Sequence, residues 1–118
     1  LVIARRDNNE KESISIKEAS QNIEKKLTDI QNNLFSQAKE FMDKNTFTVS
    51  DYEEFKNQIS LGGFINCGWD GSIDTENKIK EETKATIRCI LFEQNISNIK
   101  CIYSGKPAKF QVIFSKAY

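Results

Sequence analysis

Apolar side chains recur at Ile16, Ile23, Leu27, Ile30, Leu34, Ala38 and Phe41, a spacing of threes, fours and sevens without an intervening proline or glycine. This period lines them along one stripe of a helix and predicts the longest element of the chain. Lys25, Lys26, Asp29 and Lys39 fall on the opposite side, which reads as a solvated face. The stripe is almost heptad-like, so a coiled coil fits it; strands predicted on both sides favour instead a long helix packed across a domain boundary. Upstream, residues 1–5 read as a short buried strand, Asp7-Asn8-Asn9 supplies a turn, and residues 13–16 alternate as a second strand. Downstream, residues 45–49 break the helix. Ser50-Asp51-Tyr52-Glu53 reads as a capping box for a short second helix, and Gly62-Gly63 as its stop.

From there the period changes to two. Residues 64–69 alternate as a strand, Asp74 can cap a third helix through Lys84, and residues 85–92 form a β-branched strand. Residues 99–103 and 109–114 read as two further strands joined by Ser104-Gly105-Lys106-Pro107. The order predicts a two-layer α/β (α+β) fold: a long N-terminal helix, then a small mixed sheet with helices on one face. Its expected core is Phe64, Trp69, Ile87, Cys89, Val112 and Phe114.

Composition narrows the functions. Seventeen basic and seventeen acidic residues in 118 leave no net charge, so no global field favours nucleic acid or a membrane surface, and any RNA contact must be local. Arg5 and Arg6, adjacent at a strand end, are the candidates for such a contact; pairing with Asp7 is the alternative. No window approaches the ~18 consecutive apolar residues of a membrane span. Three cysteines, an odd number with no apolar run before them, point to a reducing, cytosolic setting and away from a disulfide framework. The chain opens on Leu1-Val2-Ile3-Ala4, without methionine and inside an expected strand, so a piece of a longer polypeptide is expected.

Histidine is absent, which removes serine–histidine and cysteine–histidine nucleophiles. Glu53-Glu54 and Glu81-Glu82 are sequential on helices and diverge by about 100°, so neither pair can flank one bond. Cys89, among Ile87, Ile90 and Leu91, reads as a buried, inert thiol, and Cys67 beside Gly68 and Trp69 has no evident role. No catalytic constellation emerges. Two segments, Trp69-Asp70-Gly71 to Asp74-Thr75-Glu76 and Cys101-Ile102-Tyr103-Ser104-Gly105, have the outline of a four-ligand metal knuckle in which only Cys101 offers a thiolate. Taken alone, the second segment reads as a strand entering a glycine turn sooner than as half of a metal site.

The strings GFINCGWDG, KIKEETKATIRCI, CIYSGKPAKF and FSKAY resemble the C-terminal domain of prolyl-tRNA synthetases of the archaeal and eukaryotic type. LVIARRDNNEKESISI resembles the last strands of that enzyme's anticodon-binding domain, and NIEKKLTDIQNNLFSQAKEFMDKN the helix leading out of it. The resemblance implies three parts: residues 1–18 as terminal strands of the anticodon-binding domain, 19–45 as a connecting helix, and 46–118 as the C-terminal α/β domain. It implies a class II proline–tRNA ligase that uses ATP and magnesium, acts on tRNA-Pro and works as a cytoplasmic homodimer. The catalytic domain would precede Leu1, leaving this fragment non-catalytic and packed against it. The four positions that bind zinc in many members correspond to Asp70, Thr75, Cys101 and Ser104, a set too hard and too protonated for zinc, so no metal is expected. Tyr118 matches the terminal tyrosine whose carboxylate supports the aminoacylation site. Two other readings use the same residues: a free-standing RNA-binding module employing Arg5, Arg6, Lys106, Lys109 and Lys116, and a coiled-coil interaction protein built on residues 16–41.

Overall fold

The apolar stripe does form a helix. In the computed structural model, which describes residues 1–117, α1 spans Ala19–Lys44, preceded by a 3₁₀ turn at Ile16–Glu18. Ahead of it, β1 (Val2–Ala4) and β2 (Lys11–Ser13) pair antiparallel, with Val2 opposite Ser13. The second strand lies earlier than the expected 13–16. The Asn8 side chain accepts from the Glu10 amide at 3.1 Å and Asn9 takes a left-handed φ of 60°, so the turn closes quickly and Ile16 is left to begin the 3₁₀ turn.

The chain divides into two compact units, Leu1–Lys44 and a second beginning at Asn45. Within the first, no residue of α1 is fully buried. Ile23, Leu27 and Leu34 of the expected buried stripe are 48–61% exposed, whereas Lys26, Asp29, Ile30 and Asn33 are half-buried. Polar bonds explain the inversion. The Asp7 carboxylate, 2% exposed, receives Arg5 through two nitrogens at 3.0 and 2.6 Å and Asn33 at 2.6 Å, and Lys26 pairs with Glu12. Arg5 and Asn33 together hold the Asp7 carboxyl far below its usual range.

The second unit is a four-stranded mixed sheet. β3 (Thr46–Thr48) runs parallel to β4 (Phe64–Trp69); β6 (Phe110–Lys116) lies antiparallel between β4 and β5 (Ala85–Ile90), giving the order β3-β4-β6-β5. α2 (Tyr52–Leu61) and α3 (Ile73–Thr83) pack on one face. Phe55 and Ile59 of α2 and Ile79 of α3 meet Ile65, Cys67, Val112, Phe114 and Ala85 of the sheet in one apolar cluster. The Phe55 and Phe114 rings meet edge to face, 5.3 Å between centroids. This is the expected mixed α/β fold, with helices on one side.

Several expectations need correction. The N-cap of α2 is Asp51, whose side chain accepts from the Glu54 amide at 3.0 Å, one residue later than the Ser50–Glu53 box. α3 begins after Ser72, so Asp74 sits inside its first turn, where a carboxylate favours the helix dipole without capping. Residues 99–103 form no strand; only single bridges join Gly68 to Cys101 and Lys100 to Pro107. Cys89 is exposed instead of buried. The register of β5 shifts between Ile87 and Cys89, so the alternation that would turn Cys89 inward is broken and it aligns with Ile113 on the other face. Cys67 takes the buried place, and burial pushes its thiol pKa up to about 12.

Candidate functional site

Gly68, Trp69 and Asp70 lie where β4 leaves the sheet. Here a Cβ on Gly68 would strike the Lys100 carbonyl and come within 2.6 Å of Ile99 Cγ2 and 2.9 Å of Ala108 Cβ. Only glycine permits this approach, and through it the 99–108 segment reaches β4: the Ile102 amide donates to Gly68 O at 2.9 Å and the Lys109 amide to Trp69 O at 2.9 Å. The Gly105 amide donates to Cys101 O at 3.0 Å, closing the turn that carries Ser104. The two segments singled out in the sequence are thereby brought together.

Their meeting point is the Asp70 carboxylate. Oδ1 accepts from the Ser72 amide at 3.0 Å; Oδ2 accepts from Thr75 Oγ1 at 3.0 Å and Ser104 Oγ at 2.6 Å. Cys101, at the start of the turn that carries Ser104, is buried. Burial alone would raise the Asp70 pKa, but the hydrogen bonds from Ser104, Ser72 and Thr75 outweigh it and hold the carboxyl below its usual value. Trp69 closes the same turn, its indole nitrogen donating to Ser72 O at 3.2 Å.

A second carboxylate anchors the knuckle to the helices. Glu82 of α3 accepts from Tyr52 of α2 at 2.8 Å and from Tyr103 of the turn at 3.0 Å, while the two rings meet edge to face at 5.0 Å. Lys56 lies over the Tyr52 ring and Lys78 over that of Tyr103. The two phenols lower the Glu82 pKa; Tyr52 is raised by burial and by Glu82, and Tyr103 mainly by Glu82. Sequence reasoning missed this cluster because its members stand 30 and 21 residues apart and fall in three separate motifs, none of which points to the others.

The donor set does not fit zinc. Of Asp70, Thr75, Cys101 and Ser104, Thr75 and Ser104 already donate to the Asp70 carboxylate, so a cation at their centre would meet two neutral hydroxyls, one carboxylate engaged by hydrogen bonds and a single sulfur. Among the described residues no group of three or more His, Cys, Asp or Glu side chains is placed to hold a metal ion.

Of the residues considered for RNA, Arg5 is occupied by Asp7, whereas Arg6 is exposed. Lys106 and Lys109 line an open cleft of about 460 Å³ with Asp70 and Ser72. Lys116 stands apart from them, beside Lys56 and Glu82. Tyr118 lies outside the described residues. Among the described residues no helix is long and apolar enough to cross a membrane.

A family model described as "Prolyl-tRNA synthetase, C-terminal" matches residues 52–118. The proline–tRNA ligase of Porphyromonas gingivalis is 45% identical over 118 residues, covering 100% of this chain and 24% of its own length. That of Bacteroides fragilis is 43% identical over 122 aligned residues, with coverage of 100% and 24%; that of Chloroherpeton thalassium is 45% identical over 125, with 99% and 26%. The chain thus spans about a quarter of the length of these relatives. With the whole chain aligned to them and the family model covering both the Asp70 and the Glu82 clusters, the chain belongs to the prolyl-tRNA synthetase C-terminal domain family.

Proposed function

We propose that this chain is the C-terminal part of a cytoplasmic proline–tRNA ligase, a homodimeric class II enzyme that activates proline with ATP and magnesium and transfers it to tRNA-Pro. The observation that carries the reading is end-to-end alignment with relatives named proline–tRNA ligase. Residues 1–18 are assigned to the end of the anticodon-binding domain, 19–45 to a connecting helix and 46–118 to the C-terminal domain. The archaeal and eukaryotic type is proposed on the GFINCGWDG and CIYSGKPAKF strings; the relatives compared are bacterial, and the catalytic sequence upstream tests the type directly.

In this reading the chain itself carries no chemistry and serves as a rigid support for the catalytic domain. Two hydrogen-bonded carboxylates, Asp70 and Glu82, fix the knuckle without metal, and zinc is absent from the protein. Arg6 is the arginine free to meet tRNA, and Tyr118 supports the aminoacylation site.

The full-length protein is expected to catalyse proline-dependent exchange of pyrophosphate into ATP and to charge tRNA-Pro, while the 118-residue chain does neither. Activation of a different amino acid by the full-length protein would overturn the assignment. Removal of Tyr118 is expected to lower its turnover without moving the unfolding midpoint of this domain; unchanged turnover removes that role.

A further inference from the structure

Charge is segregated along the chain. Residues 1–93 hold 13 of the 17 basic residues and all 17 acidic ones, whereas residues 94–118 hold four lysines and no acid. A chain that is neutral as a whole therefore ends in a segment of net charge +4.

The fold gathers three of these lysines. Residues 99–109 double back as an irregular ladder: the Cys101 amide donates to Lys106 O at 2.7 Å, the Ala108 amide to Ile99 O at 2.9 Å, and a single bridge joins Lys100 to Pro107. Lys100, Lys106 and Lys109 thus stand on one short hairpin. All three are exposed, and none makes an ion pair among the described residues. Lys116 lies elsewhere, beside Lys56 and Glu82.

Lys106 and Lys109 line the open cleft of about 460 Å³. Asp70 is the carboxylate of that lining, and both of its oxygens are already engaged by hydrogen bonds within the knuckle. An aromatic surface adjoins the lysines. Lys109 Cδ and Phe110 Cε2 each lie 3.3 Å from where a Cβ on Gly71 would stand, so the lysine stem and the ring cover the same bare turn. The Phe110 ring is 36% exposed and meets Trp69 at 5.8 Å between centroids.

We infer that this hairpin binds the sugar–phosphate backbone of the tRNA. The inference rests on the reading that the chain belongs to a proline–tRNA ligase, whose nucleic-acid substrate is a polyanion. Lysine ammoniums are compact charges on flexible stems that meet phosphates without a fixed geometry, so the contact is independent of base sequence. Phe110 offers a flat face to a ribose or an unpaired base next to those phosphates. An acidic peptide would engage the lysines equally well; the exposed ring beside them favours a nucleotide.

The test uses the full-length protein with Lys100, Lys106 and Lys109 changed together to glutamine. The KM for a tRNA-Pro transcript is expected to rise at least about fivefold at 0.1 M salt, with kcat within about twofold of the parent. The slope of log affinity against log salt concentration is expected to become shallower by about 2. The corresponding triple arginine variant, which keeps the charges, is expected to stay near the parent, and Lys80→Gln, an exposed lysine of α3, to leave the slope unchanged. Unchanged KM and slope in the glutamine variant overturn the inference. Equal losses in the glutamine and arginine variants overturn it too, because packing and not charge would then be responsible. Proline-dependent pyrophosphate exchange, which requires no tRNA, is expected to be the same in parent and variant; a loss there assigns the hairpin to a protein contact and overturns the RNA site. The same assay separates the two proposals. An active ligase whose tRNA binding ignores the three lysines keeps the function and loses the site, and lysine-dependent tRNA binding without proline activation does the reverse.

Discussion

Asp70→Ala isolates the carboxylate on which the knuckle depends. The substitution strands three donors at once, and their surroundings differ. Thr75 is 7% exposed, so its hydroxyl cannot turn to bulk water, and a buried donor left unmatched costs about 1–3 kcal/mol. The Ser72 amide opens α3, where losing a cap-type acceptor costs about 1 kcal/mol. Ser104 is exposed and recovers water, so its share is about 0.5 kcal/mol. These groups share one partner and do not add fully, which leaves a total of about 2–4 kcal/mol. Trp69, the single tryptophan of the chain, hydrogen-bonds into the same turn and reports its unfolding by fluorescence. With a urea slope of about 1.5 kcal/mol/M, the midpoint falls by roughly 1–3 M. Asp70→Asn retains one acceptor oxygen and loses about half as much. Because folding lowers the Asp70 pKa from 3.8, the carboxylate's stabilisation is complete above about pH 4 and is lost as pH falls through the lower folded value. The gap between the parent protein and Asp70→Ala therefore narrows in acid. A midpoint change smaller than about 0.3 M at pH 7, or a gap that widens below pH 4, refutes the reasoning.

Gly68→Ala forces a methyl group onto the Lys100 carbonyl and within 2.6 Å of Ile99, and is expected to destabilise by about 3 kcal/mol or more; a melting temperature within a degree of the parent contradicts the close approach. Lys84 caps α3 with a left-handed φ of 63°, so Lys84→Gly is expected to stabilise by about 0.5–1 kcal/mol, read as a higher urea midpoint. Elemental analysis of protein purified without added metal is expected to find less than about 0.1 equivalent of zinc, and a chelator to leave the unfolding midpoint unchanged. One equivalent of zinc whose removal melts the domain excludes the hydrogen-bonded knuckle.

Long periodic segments were legible in the sequence because their signal accumulates over many residues. α1 follows from its spacing, and β4 and β6 from alternation. What the spacing of α1 did not give was its orientation. The Asp7 carboxylate, joined to Arg5 and Asn33, couples the hairpin to the polar side of the helix, and no periodicity argument weighs one such buried contact against an apolar stripe. Short elements escaped for a related reason. β3 has three residues, and its pairing with β4, bordered by the Phe64 amide on Asn45 O at 2.8 Å and the Val49 amide on Asn66 O at 3.2 Å, joins segments separated by the intervening helix. The position of Cys89 turned on one bulged residue, which inverts every later side chain of its strand. At the candidate site, the four knuckle positions were found as a motif, and their mutual hydrogen bonds follow from residue chemistry once two turns meet. The Tyr52–Glu82–Tyr103 bridge was not legible, since it depends on how two helices and a turn are arranged in space.

The convergence of Thr75 and Ser104 on a single oxygen of Asp70 bears on how such a site changes by descent. Each hydroxyl donates usefully only while a strong acceptor stands at position 70, and Oδ2 of that acceptor takes both of its hydrogen bonds from them. Loss of Asp70 or of the buried Thr75 hydroxyl leaves an unmatched group in a partly buried turn, whereas loss of the exposed Ser104 costs little, so passage between this arrangement and a thiolate-lined one is easiest through position 104. The three positions are therefore energetically coupled, and a double-mutant cycle between Asp70 and Ser104 measures how strongly.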